Sequence, residues 1–145
     1  MAVILHDQTF DPWNELANFQ ASQPQLKDKF GATAVFVGTM RDFNQNDNVS
    51  SMYLEHYPGM TEKSLQAIEA QSREQWPLLE VLIVHRIGEI KPNDSIVLVA
   101  VWSAHRHEAY EANRYIMEAL KCRAPFWKKE NLGKSMRWVS ENSKG

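Results

Sequence analysis

Residues 95–102 have the sequence SIVLVAVW and contain the longest apolar run of the chain. A segment that is apolar on both of its alternating faces is typical of a central strand covered on both sides. The preceding segment LEVLIVHRI, at residues 79–87, has the same character, and GATAVFVG, at residues 31–38, is rich in small and β-branched side chains. These three segments predict the strands of the main sheet.

Helical patterns accompany these strands. The residues after 102 predict a long helix, roughly 104–122, with Ser103 as its N-terminal cap. A second helix is predicted from a cap at Thr61 to Trp76, and a short one begins after Asp11. The apolar stripe that defines the long helix consists of Ala109, Ala112, Ile116, Ala119 and Leu120.

The remaining segments complete an α+β pattern. Alternation at residues 52–57 predicts a half-buried strand, DFNQNDN at 42–48 predicts a mobile polar loop, and 126–127 and 136–139 read as short extended segments. We expect a mixed, largely antiparallel sheet with helices packed on one face. A chain of 145 residues is expected to form one domain over residues 1–145.

The composition excludes several classes of protein. With 43% hydrophobic and 10% aromatic residues the chain is not intrinsically disordered, and its single cysteine excludes a disulfide scaffold. The longest apolar run has seven residues, whereas a transmembrane helix needs about 20. The first ten residues lack the basic region of a signal peptide. We therefore expect a cytoplasmic protein without a membrane segment.

The charge is distributed unevenly along the chain. Residues 121–137 hold six basic side chains and one acid, a net charge of +5, so that the rest of the chain carries −7 of the overall −2. A basic cluster on an acidic body favours an anionic ligand held at one place, although a solvated basic face is the simpler alternative. The basic residues are Lys121, Arg123, Lys128, Lys129, Lys134 and Arg137.

Two lysines of this cluster are candidates for chemistry. Lys121 and Lys128 flank the apolar residues 125–127, and crowding by Arg123, Lys129 and apolar rings is expected to lower a lysine pKa. A lysine with a lowered pKa can act as a nucleophile or as a general acid or base. Taken alone, each lysine could equally serve solubility.

Other candidate groups lie at the ends of predicted elements. His105 and Arg106 open the long helix, where backbone N–H groups favour an anion, and Arg41 follows the strand at 31–38. Cys122 lacks a nearby base, so we interpret it as a small buried apolar residue. No set of side chains has zinc-ligand spacing, and we expect neither a metal nor a cofactor.

Several sequence blocks together resemble the large, catalytic subunit of molybdopterin synthase, the MoaE family. The similarity extends from about residue 31 to residue 139. The blocks are GTMR (38–41), LEHYPGMTEKSL (54–65), HRIGEIKPND (85–94), SAHRHEA (103–109) and LKCRAPFWKKE (120–130).

The resemblance implies a fold and an activity. The fold would be of the α/β hammerhead type with an additional antiparallel β subdomain. The activity would convert cyclic pyranopterin monophosphate into molybdopterin by inserting two sulfurs. A small ubiquitin-like subunit of the MoaD type would deliver the sulfur as a C-terminal Gly-Gly thiocarboxylate. Two large subunits would form a homodimer within a heterotetramer.

The resemblance also assigns roles to residues of this chain. Lys121 and Lys128 are the implied catalytic residues. Thr39 occupies a position that is lysine in some relatives and so contributes less charge here. The implied substrate-binding residues are Thr39, Met40, Arg41, His105, Arg106, Lys129 and Glu130.

Helix geometry separates two of these groups. His105 and Lys121 are 16 residues apart on one predicted helix, which corresponds to about 24 Å at 1.5 Å per residue. One pterin cannot touch both ends of such a helix. We therefore infer that each pocket combines Arg41, Lys121 and Lys128 of one chain with His105 and Arg106 of the other.

Two alternative functions remain open from the sequence. The first is a non-catalytic dimeric scaffold that docks a ubiquitin-like tail. The second is RNA binding through the basic, aromatic residues 121–138. The net charge of −7 on the remaining residues would repel a phosphate chain, which disfavours this second function.

Overall fold

The computed structural model describes residues 2–44, 47–133 and 135–139, and helices and strands are interspersed along them. The strands are β1 (Ala2–His6), β2 (Ala32–Thr39), β3 (Phe43–Asn44), β4 (Asp47–Asn48), β5 (Ser51–His56), β6 (Leu78–Arg86), β7 (Gly88–Ile90), β8 (Ser95–Ser103), β9 (Phe126–Asn131) and β10 (Met136–Trp138). The helices are α1 (Pro12–Ala21), α2 (Met60–Gln75) and α3 (Arg106–Arg123), with a 3-10 turn at Pro24–Leu26.

The first sheet has the strand order β1-β6-β8-β2. The segment predicted as a central strand is β8, which pairs antiparallel with both β6 and β2 and is buried from Val97 to Ser103. β1 pairs parallel with β6 at the sheet edge. The sequence prediction omitted β1, because four apolar residues followed by His6 have no pattern that distinguishes a strand until β6 supplies the partner.

Helices cover both faces of this sheet. On one face Leu65 of α2 and Ile116 of α3 pack against Ile83 and Val99. On the other face α1 covers Trp102, whose indole Nε1 donates a 2.9 Å hydrogen bond to Gln20. The expectation that all helices share one face is therefore wrong for α1, because a fully buried tryptophan requires a cover on its own side of the sheet.

The second sheet has the order β10-β9-β5-β7 and is antiparallel throughout. Met52 and Leu54 of β5 are buried and Tyr53 is exposed, which confirms the alternation predicted for residues 52–57. The predicted loop at 42–48 contains the short β3–β4 pair. The α+β class with an additional antiparallel β subdomain on a hammerhead-type fold is confirmed.

The helix starts differ from the predicted caps. α2 begins after Gly59, whose φ of +84° suits glycine, while the Thr61 hydroxyl lies inside the helix and donates to the Pro125 carbonyl at 3.1 Å. α3 begins after His105, because the Ser103 hydroxyl instead donates to the His105 carbonyl at 2.6 Å. No helix in the described part of the chain is long and apolar enough to cross a membrane.

Gly31 allows the start of β2 to approach the start of α3. A Cβ atom at Gly31 would lie 2.3 Å from the Ala104 carbonyl oxygen, so we expect Gly31→Ala to destabilise the fold by about 1–3 kcal/mol. Urea denaturation measures the change. Gly38→Ala is a matched control with a smaller expected effect, because there the Cβ would meet the Val97 side chain and not the backbone. Equal midpoints for the wild type and Gly31→Ala would contradict the prediction.

Candidate active site

A cleft of about 1510 Å³ lies between edge strand β2, helix α3 and strand β9. Small-molecule sites usually occupy about 300–1,000 Å³. The cleft therefore has room for a small ligand together with an extended peptide end. The predicted site residues that line it are Thr39, Met40, Arg41, Lys121, Lys128 and Glu130.

The end of β2 brings Arg41 to the cleft. The register between β2 and β8 shifts between Gly38 and Thr39, and such an irregularity redirects the residues that follow. Met40 is buried, and its backbone bonds to Asp94 at 2.9 Å and to Asn93 at 3.0 Å. Met40 thus anchors this segment in the core of the second sheet, while the exposed Arg41 lines the cleft beside it.

Lys121 and Lys128 form the charged centre of the cleft. Lys121 lies in the last turn of α3 and Lys128 in β9, and their side chains share a hydrogen bond. Burial lowers the pKa of Lys128 to about 8, the charge and hydrogen bond of Lys121 act in the same direction, and Glu130 opposes them. At neutral pH a usable fraction of Lys128 therefore carries an unprotonated amine.

The neighbours that the sequence suggested for Lys128 have other partners. Arg123 donates to Gln71 of α2 at 2.7 Å and to the Tyr115 hydroxyl at 3.1 Å. Lys129 points to the opposite face of β9, where its Nζ lies 5.4 Å from the centre of the Trp138 ring. The predicted lowering of a lysine pKa is confirmed for Lys128, but burial and Lys121 cause it, and not Arg123 or Lys129.

Glu130 belongs to an ionic network at one end of the cleft. Its buried carboxylate accepts from Asn44 at 2.8 Å and from Arg137 Nε at 3.0 Å, and Arg137 also bonds to Asp47 at 2.7 Å. These bonds tie the β3–β4 hairpin to β9 and β10. Arg137 of the basic cluster is therefore engaged in structural ion pairs. Lys134, another residue of that cluster, lies outside the described residues.

His105 and Arg106 are exposed at the opposite end of α3 from the lysines. They line a separate hollow together with Gly31 and Tyr110. Helix α3 has 18 residues, so its two ends are about 25 Å apart. Within one chain, the structure does not bring these two residues to the lysine pair.

His85 is a cleft residue that the sequence did not identify as part of the site. It is 8% exposed, and its ring stacks on Phe126 with 4.1 Å between the centroids. Burial lowers the pKa of His85 to about 4, and the charges of Lys128 and Lys121 add to this effect. A single histidine in an apolar strand does not indicate from the sequence that Phe126 and the two lysines lie nearby.

Cys122 lies on the exposed side of the last turn of α3. The expectation that it is a buried apolar residue is wrong. The buried stripe of α3 includes Ala119 and Leu120, and a helix turns about 100° per residue, so that Cys122 faces away from this stripe.

Comparison of the sequence with known proteins identifies the family of this chain. The model of the MoaE protein family matches residues 5–123. A molybdopterin synthase catalytic subunit of Ralstonia nicotianae is 48% identical over 135 residues, which cover 93% of this chain and 74% of that protein. The subunit of the same name from Escherichia coli is 51% identical over 113 residues, covering 78% and 75%.

Solved structures agree with the sequence relatives. The molybdopterin biosynthesis MoaE protein of Burkholderia ambifaria superposes with a TM-score of 0.79 at 42% identity, covering 100% of this chain and 93% of that one. Molybdopterin synthase of Staphylococcus aureus gives a TM-score of 0.79 at 31% identity, covering 97% and 96%. On the match in sequence and fold, the chain belongs to the MoaE protein family.

Proposed function

We propose that this chain is the catalytic subunit of a molybdopterin synthase, a cytoplasmic sulfurtransferase that converts cyclic pyranopterin monophosphate into molybdopterin. The observation that carries the proposal is the hydrogen-bonded pair of Lys121 and Lys128 in a cleft shared with Arg41. The sulfur donor is the C-terminal thiocarboxylate of a small ubiquitin-like subunit of the MoaD type. The size of the cleft supports simultaneous entry of this tail and the pterin.

The complete site uses two copies of the chain. A homodimer whose two-fold axis passes near the middle of α3, perpendicular to the helix, places the start of one α3 beside the end of the other. His105 and Arg106 of one copy then join Arg41 of its partner, and together they hold the substrate phosphate by charge-assisted hydrogen bonds. The separation of about 25 Å between the ends of α3 supports this arrangement over a site within one chain.

The two lysines take different parts in sulfur transfer. In each transfer the thiocarboxylate sulfur bonds to a pterin side-chain carbon while the carbon–oxygen bond at that carbon breaks, and the oxygen leaves as water or as a phosphate group. Water then hydrolyses the resulting acyl–sulfur bond, which leaves a thiol on the pterin and a carboxylate on the small subunit and releases one proton. Lys121 stabilises the negative charge that develops on the acyl oxygen. Lys128, whose pKa is lowered, accepts the proton of the attacking water.

Reconstitution tests the activity directly. The purified chain is mixed with the thiocarboxylated small subunit and cyclic pyranopterin monophosphate, and molybdopterin is measured as its oxidised fluorescent derivative. We expect product only when all three components are present. Binding of the small subunit without product would instead support the non-catalytic scaffold.

The rate of sulfur transfer is expected to rise with pH through about 8. With a pKa of about 8, the unprotonated fraction of Lys128 increases from about a tenth at pH 7 to about half at pH 8, a gain of about fivefold. Because the pKa is lowered from 10.5, this rise occurs well below the range of an ordinary lysine. Single-turnover rates between pH 6 and 9 measure it.

The control for this profile is Lys63→Ala, which removes an exposed lysine from α2, away from the cleft. The control variant should reproduce the wild-type profile. A rate that stays constant from pH 7 to pH 9 in the wild type would contradict a role for unprotonated Lys128.

A further inference from the structure

Arg86 is a buried cation at the end of β6. It is 6% exposed, and it follows His85, which lines the cleft, so that alternation along the strand directs Arg86 to the opposite face of the sheet. Nη2 of Arg86 donates to the Glu89 carbonyl at 2.5 Å. Within the described part of the chain, its Nε and Nη1 have no hydrogen-bond partner. A guanidinium buried in this way needs a negative charge nearby.

Asp94 supplies this negative charge. Its carboxylate Oδ2 lies 3.7 Å from Nη1 of Arg86 and forms an ion pair with it. The same oxygen accepts the backbone N–H of Lys91 at 3.0 Å, and the Asp94 N–H donates to the Lys91 carbonyl at 3.0 Å. Arg86 therefore contacts, from the end of β6, the turn at residues 91–94 that leads into β8.

The turn at residues 91–94 also binds the segment that carries Arg41. The Met40 N–H donates to the Asp94 carbonyl at 2.9 Å, and the Asn93 N–H donates to the Met40 carbonyl at 3.0 Å. These bonds come directly after the register shift at the end of β2, where the regular strand pairing is interrupted. Both backbone groups of Met40 are thus fixed by the turn, and Arg41 is the next residue.

We propose that Arg86 is a positioning residue for Arg41, and that it acts through the ion pair with Asp94. The charge of Arg86 holds the Asp94 carboxylate, the turn at residues 91–94 holds the backbone of Met40, and Met40 places Arg41 at the cleft. Arg86 is not among the residues that line the cleft, so it does not contact the substrate itself. The effect on substrate binding rests on the proposed function, whereas the effect on the backbone of Met40 does not.

Two substitutions remove the ion pair from either side. Arg86→Met deletes the buried charge and keeps an unbranched side chain, and Asp94→Asn deletes the carboxylate charge and keeps an oxygen for the Lys91 N–H. We expect each variant to raise the KM for cyclic pyranopterin monophosphate about tenfold with little change in kcat, because Arg41 no longer meets the substrate phosphate correctly. An unchanged KM in either variant would overturn the proposal.

The double variant Arg86→Met/Asp94→Asn tests whether the two residues act together. Two substitutions that remove the same interaction are not additive, so the double variant should also raise KM about tenfold. A rise of about a hundredfold would mean that the two residues act independently, which contradicts the proposal.

The Arg41→Ala chain shows whether the effect passes through Arg41. Its KM is already raised, and adding Arg86→Met should change it by less than about twofold. A further rise of about tenfold would mean that Arg86 acts elsewhere and would overturn the proposal.

The matched control is Arg73→Met. It removes an arginine that pairs with Glu69 and Glu80, none of which lines the cleft. This variant should lower the thermal unfolding midpoint and leave KM at the wild-type value. If it raised KM as much as Arg86→Met does, the effect would be a general result of destabilisation and the proposal would be wrong.

Amide hydrogen exchange followed by NMR tests the positioning without any substrate. In Arg86→Met and in Asp94→Asn, the amides of Met40 and Asn93 should exchange about tenfold faster relative to the amide of Val99 in the central strand β8. Unchanged exchange at Met40 would overturn the proposal. An inactive wild-type chain whose variants show the faster exchange would contradict the proposed function alone. An active wild type with unchanged Met40 exchange in the variants would contradict only the role of Arg86.

Discussion

Replacing Lys128 with alanine is expected to lower the rate of molybdopterin formation by at least about a hundredfold, the usual contribution of a positioned acid or base. The substitution removes the amine whose pKa burial and Lys121 lower to about 8. Lys121→Ala should cause a loss of similar size, because the developing negative charge on the acyl oxygen loses its nearest cation.

The two lysine variants should differ in what accumulates. Without Lys128 the sulfur can still bond to the pterin but the acyl–sulfur bond is cleaved slowly, so a covalent adduct of the small subunit and the pterin should build up. Without Lys121 both steps are slow and little adduct should form. Mass spectrometry of single-turnover mixtures distinguishes these outcomes, with Lys63→Ala as the control.

Lys128→Arg tests whether charge alone suffices. An arginine keeps the positive charge but does not lose its proton near neutral pH. We expect this variant to be nearly as inactive as Lys128→Ala. If either variant kept more than about a tenth of the wild-type rate, Lys128 would not be the proton acceptor.

Mixing two inactive variants is expected to restore activity. When His105→Ala and Lys121→Ala chains exchange subunits at random, about half of the dimers contain one chain of each kind. In each such dimer one site receives both substitutions and the other receives none. About a quarter of all sites are therefore intact, and the mixture should recover about a quarter of the wild-type rate.

A complementary mixture sharpens this test. The double variant His105→Ala/Lys121→Ala is mixed equally with wild-type chains, and native mass spectrometry confirms subunit exchange. With shared sites every mixed dimer is inactive, so about a quarter of the wild-type rate remains; with sites inside single chains about half remains. A rate of one half, or no recovery in the first mixture, would contradict the shared site.

The sequence predicted those parts of the fold whose pattern is local. The apolar residues 95–102 identified β8 as the central strand, and the stripe from Ala109 to Leu120 identified the buried face of α3. Both patterns lie within a single element and follow the known side-chain arrangement of a buried strand or a helix. The lysines of the cleft were recognised because they lie seven residues apart around one short apolar turn.

The features that escaped the sequence depend on contacts between distant segments. β1 is a strand because β6 lies beside it, 80 residues further along the chain in register Ala2 to Leu82. His85 joins the cleft through Phe126, and Arg137 is neutralised by Asp47 across 90 residues. Contacts between distant segments produce no repeating pattern in the sequence. The sequence therefore could not show which basic residues form structural ion pairs and which line the cleft.

Helix α3 is buried along one side, and its two ends carry residues of the lysine pair and of the histidine–arginine pair. In the proposed homodimer one helix therefore serves two reaction centres at once. One inserted residue would turn its end by about 100° and move it by about 1.5 Å, which would misalign both centres together. The length of α3 therefore sets the spacing of the two sites.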